Sequence, residues 1–129
     1  MKTMHYDAVL GQCIYESRQW ARLIAFLLEE NAFCKARLAE VVAIIGDDAS
    51  FMKAEEFNEQ FLSQDSMFEF LSNELKKHNK LLDKELYIDG ESLKRIMKSQ
   101  RILDRNIKSA EDIFSKTKRR FTLYLLSLL

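Results

Sequence analysis

Proline is absent from this chain of 129 residues, and glycine occurs only three times. Without proline nothing in the covalent chain forces a helix to kink or stop. Three glycines are too few for the glycine-rich kind of loop that cradles phosphate. Cysteine and histidine occur twice each, and they do not fall at zinc-type ligand spacings. The two most apolar stretches, 23–28 and 121–129, fall far short of the roughly 20 residues that cross a bilayer. The opening MKTMHYDAVLGQ has one early lysine, an aspartate and no long apolar run, unlike a secretory leader. The formal net charge is +0, so the chain lacks the excess positive field on which nucleic-acid binding draws. A cytoplasmic protein with thiols kept reduced is the expectation.

What the chain does have is a seven-residue apolar rhythm in three blocks. In the first, Tyr6, Leu10, Cys13, Ser17, Trp20, Ile24, Leu27, Asn31, Cys34, Leu38, Val41 and Ile45 alternate at spacings of four and three. The second runs Ala54, Phe57, Phe61, Gln64, Phe68, Leu71, Leu75, His78, Leu82. The third runs Leu93, Ile96, Gln100, Leu103, Ile107, Ala110, Phe114, Thr117, Phe121, Tyr124, Leu128. A mean period of 3.5 marks a helix whose seam faces other helices. Cys13 and Cys34 share the first seam, about 30 Å apart along it at about 1.5 Å per residue, so they cannot bond to each other.

Gly46-Asp47-Asp48 and Ile88-Asp89-Gly90-Glu91 punctuate the blocks. Glycine after a periodic run signals a helix end, and aspartate or serine caps the next start. The spacing predicts a single domain, 1–129, of helices at 4–45, 49–86 and 90–128. The fold class is all-α: an elongated, antiparallel, up-down bundle of three long coiled helices. A break of helix one near Gly11 would make it four. With a tight reversal at 47–48, seam residues pair in register: Asn31 with Gln64, Ser17 with His78, Trp20 with Leu75. A tight second reversal pairs Phe61 with Phe114 and Phe68 with Ile107, and sets Ala110 beside Asn31 and Gln100 beside Trp20. That two registers agree with the loop positions is the chief support for the fold.

Six seam positions are polar: Ser17, Asn31, Gln64, His78, Gln100 and Thr117. Asn31 and Gln64 are expected to form a buried pair that satisfies its own donors and acceptors and fixes the register. A polar pocket there for a small ligand is the alternative. Gln100 can accept from the Trp20 indole. No catalytic, cofactor or metal residue is named. The Glu-x-x-His pairs of bundle metal sites are missing, and no carboxylate pair or nucleophile elbow appears. The expectation is a protein that is not an enzyme.

Charge is unevenly spread. Residues 47–90 carry eleven acids and five bases, and residues 91–129 carry ten bases and four acids. The simplest account is that acidic helix two and basic helix three complement each other along their flanks. The chain ends FTLYLLSLL, where Leu123, Leu125, Leu126 and Leu129 lie off the seam. Such a helix end needs a cover, and Phe26 and Phe33 form a second off-seam patch. A second copy of the chain is the favoured cover, in a dimer. A protein partner is one alternative; another is a membrane surface or nucleic acid reached through Lys116, Lys118, Arg119 and Arg120. Ile44, Phe51 and Met52 folding over the leucines is the plain one.

Glu30-Asn31, Lys35, Arg37-Leu38 and Glu40, followed by Glu56-Phe57-Asn58 and Gln60-Phe61, form a pattern of their own. It resembles a group of short, all-helical bacterial proteins, over about residues 20–82. The resemblance implies a helical bundle and brings no activity, ligand or catalytic residue. Function is therefore expected to lie in protein–protein interaction or assembly.

Overall fold

The structure is a computed structural model that describes the backbone of residues 2–84 and 89–129, and the side chains of 7–83 and 89–129. The side chains of His5 and Tyr6, and Ile88 with the expected end of helix two at 86, lie outside the described residues. Three α-helices follow one another: α1 (Lys2–Val42), α2 (Asp48–Lys84) and α3 (Gly90–Ser127). Each packs against both others. At about 1.5 Å per residue, the 41 residues of α1 span about 60 Å. No described helix is long and apolar enough to cross a membrane.

Helix α1 runs unbroken through Gly11, so the break that would have made a fourth helix does not occur, and the described residues form three. It ends at Val42, earlier than expected. There the Ile44 amide bonds the Val41 carbonyl at 3.0 Å, one residue closer than the α-helical partner. No glycine among the described residues has positive φ, so Gly46 follows the helix end without the left-handed turn. Asp47 then caps α2 by accepting from the Ser50 amide at 2.9 Å. Asp89, in extended conformation, caps α3 by accepting from the Ser92 amide at 2.7 Å. Each carboxylate satisfies an amide hydrogen that the first helical turn leaves free.

Every buried residue among those described falls on a heptad seam. The larger core runs from Trp20, Leu75 and Leu103 to Leu38, Ala54 and Phe121. A smaller cluster of Cys13, Leu82 and Ile96 closes the end where α1 begins. At the other end Phe57, Phe61, Phe121 and Tyr124 form a ring of aromatics, with Phe61 and Phe121 edge-on at 5.1 Å. Edge-to-face pairs each add about 1 kcal/mol beyond their burial. The Tyr124 hydroxyl donates to the Ser50 carbonyl at 2.8 Å, fastening the end of α3 to the start of α2.

The first hairpin keeps its expected register to within a turn. The second does not. Phe61 meets Phe121 rather than Phe114, and Phe68 meets Phe114 at 5.9 Å rather than Ile107. Helix α3 is one heptad further along than a tight reversal gives. Side chains lean toward their own helix N-terminus, so in an antiparallel pair the residues that touch lie further along both helices than their Cα levels imply.

Candidate interaction surface

The shift of α3 gathers the six polar seam residues into two layers. In the middle layer, the Asn31 amide donates to the Phe61 carbonyl at 2.8 Å and to Asp65 Oδ1 at 2.6 Å. Asp65 is in turn paired with Lys35. Gln64 Nε2 donates to Thr117 Oγ1 at 2.8 Å, and Thr117 donates to the Ile113 carbonyl. Asn31 and Gln64 are thus both buried, but they do not bond to each other, and Thr117 replaces Ala110 as the third member. Both amide oxygens lack a partner within the protein. The flank carboxylate of Asp65, not a seam residue, takes up one Asn31 hydrogen and the Phe61 carbonyl the other.

In the second layer His78 pairs through Nε2 with Gln100 Oε1. Gln100 Nε2 is directed to the Cys13 carbonyl and Glu16 Oε1, each at 3.3 Å. With its amide nitrogen so engaged, Gln100 presents an acceptor, so His78 carries its hydrogen on Nε2. The Trp20 indole is not the partner of Gln100. Ser17 Oγ and His78 Nδ1 lie buried with no partner, and they do not bond to each other. Glu74, one turn before His78, pairs with Lys77 at 3.3 Å instead. Among the described residues no three metal-ligating side chains converge. Cys13 and Cys34 are free and buried, and burial raises both thiol pKa values above the ordinary range. Raised pKa values leave little thiolate for nucleophilic chemistry.

The apolar surface is clearer. Leu123, Leu126 and Leu129 are exposed, at 60%, 59% and 101%. Leu125 is not free; it is half-buried against the core. Ile44, Phe51 and Met52 stand exposed themselves and do not cover the leucines. Phe26 and Phe33 are both more than half exposed, and the Arg37 guanidinium lies 5.6 Å over the Phe33 ring. A further groove runs along the α2–α3 face. Phe70 and Ile102 line it at one end, Ile113 in the middle, and Leu123 beside Phe57 at the other. Met67 is exposed one heptad from Gln60, which lines the same groove.

The charges do not behave as expected. Acidic α2 and basic α3 share a face, yet among the described residues no ion pair joins them. The pairs between helices are Lys35–Asp65 and Lys118–Glu30, both involving α1. The others lie within single helices. Arg120 reaches α2 only at the Gln60 side-chain oxygen, 3.2 Å away. In the basic cluster, Lys116 pairs with Asp112 at 3.0 Å and Lys118 with Glu30. Arg119 alone of the four has no ion-pair or hydrogen-bond partner among the described residues.

The fold and surface define an all-α, three-helix bundle with exposed apolar strips. Compared with models of protein families, with curated proteins and with solved structures, the chain matches none.

Proposed function

We propose that the chain is a non-enzymatic assembly module that associates with itself through its apolar helical surface. The observation that carries this reading is the uncovered group of Leu123, Leu126 and Leu129. Contiguous apolar surface of this kind is costly in water and marks an interaction site. The seam polar residues favour neither a metal site nor catalysis, because the amide nitrogens of Asn31, Gln64 and Gln100 bond neighbouring helices and no three metal-ligating side chains converge among the described residues. A membrane or nucleic-acid surface is less favoured, since Lys116 and Lys118 of the basic cluster are already paired. The buried thiols fit a reducing, cytoplasmic setting.

Light scattering across protein and salt concentration tests the reading. The expected mass is that of a dimer. Leu123→Glu, at an exposed position that also lines the α2–α3 groove beside Phe57, should weaken that dimer at least about tenfold, a change of about 1.4 kcal/mol. A monomer at every concentration removes the proposal. Leu125 is the wrong residue to charge, because it is half-buried against the core and a glutamate there would cost stability as well as association.

A further inference from the structure

Resting on that reading of self-association, we infer that the second copy lies along the α2–α3 groove. Its acidic α2 rests on the basic α3 of the first, and its α3 on the first copy's α2.

Three observations point to this arrangement. The groove is apolar at its centre, with Ile113 and exposed Met67, and at its ends, with Phe70, Ile102 and Leu123. Its rims are opposite in sign: Glu56 and Glu59 on α2, Arg120 and Lys116 on α3. Among the described residues Glu56, Glu59 and Arg120 take part in no ion pair, whereas Lys116 shares its charge with Asp112 of its own helix at 3.0 Å. A two-fold axis along the groove, parallel to the helices, carries α2 of one copy over α3 of the other and leaves height along the bundle unchanged. Residues that are level within one chain therefore meet between copies. Gln64 is level with Thr117 and Gln60 with Arg120. By one further turn in the same register, Met67 is level with Ile113. Methionine thus meets isoleucine at the centre of the interface, and Glu59, with Glu56 one turn beyond, meets Arg120 on both sides, while Lys116, level with Gln64, follows about a turn and a half further along. The like-charged alternative, α2 on α2, sets acid against acid and base against base, which costs several kcal/mol.

The face is large enough. From Arg95 to Leu123 it runs about 40 Å, and two helices make it about 20 Å wide. That is about 800 Å² on each partner, the size of a standard specific interface. No second molecule of other chemistry is needed, since each copy brings both the acidic and the basic rim.

Complementary charge reversal tests the geometry. One variant carries Glu56→Lys with Glu59→Lys, the other Lys116→Glu with Arg120→Glu. All four positions are exposed, and helical circular dichroism of each variant checks that it folds. Each alone should dimerise at least about tenfold more weakly than the unaltered chain. An equal mixture should form a heterodimer within about threefold of the original affinity, seen by native mass spectrometry. If both variants dimerise as before, the groove is not the interface, while self-association stands. If both become monomers and mixing restores nothing, α2 does not face α3 and the inference fails. A monomer for the unaltered chain overturns this inference and the proposed function together.

Discussion

At the scale of single residues, the chain spends its polarity inside and leaves part of its oil outside. Asn31, Gln64 and Gln100 interrupt the seams because each finds a neighbouring helix to bond. A buried amide that bonds a neighbour costs little, whereas one left empty costs about 1–3 kcal/mol. That these positions are buried could be read from the heptad alone. Their partners could not. Asp65 is one residue off the seam and becomes the Asn31 acceptor only once two helices are set side by side. Gly11 shows the opposite case, a residue with no role in the packing. A methyl group there would meet nothing within 4 Å, and helical glycine costs about 1 kcal/mol relative to alanine. Gly11→Ala should therefore stabilise the bundle by about that amount. Thermal unfolding by circular dichroism should show a melting temperature several degrees higher.

At the scale of elements, the helices were legible and their offset was not. Every described buried side chain sits where the 3.5-residue period places it. The end of α1 at Val42 was not legible, because seam-like Ile45 continues the pattern past the point where the hydrogen bonds change. The one-heptad displacement of α3 goes with the lean of side chains toward their own helix N-terminus, which periodicity does not encode. Helix starts, by contrast, were marked by Asp47 and Asp89. Bonds from Ser50, its backbone amide foremost, hold the Asp47 carboxyl below its ordinary pKa; Ser92 does the same for Asp89. A carboxyl lowered on folding stabilises the fold fully above its unfolded value, about pH 4. The contribution fades as pH falls from there through the lowered value. Acid titration should weaken wild type in that window. Asp47→Asn with Asp89→Asn should lose less, since asparagine caps without titrating. A chemical-denaturation series from pH 6 to about pH 2 checks the difference.

At the scale of the whole molecule, the shape makes the two modes of self-association separable. A single bundle is a rod of about 60 Å. Side-by-side pairing along the α2–α3 groove thickens the rod and leaves its length nearly unchanged. Pairing tip to tip through Leu126 and Leu129 alone would extend it to about 120 Å. Small-angle X-ray scattering of the dimer should give a maximum dimension near the shorter value. Nothing at this scale was legible beyond the exposed leucines and the opposed charges of α2 and α3. The charges were expected to meet within one chain, and only the packed helices reveal that they do not.

Trp20 is the chain's single tryptophan, buried in the larger core on α1, whereas every residue invoked at the groove lies on α2 or α3. Its emission therefore reports on one event only. Dissolution of the bundle moves the indole into water and shifts its fluorescence to longer wavelength, while separation of two intact copies leaves its surroundings as they are. One intrinsic optical signal thus divides loss of structure from loss of association, with no label attached to either.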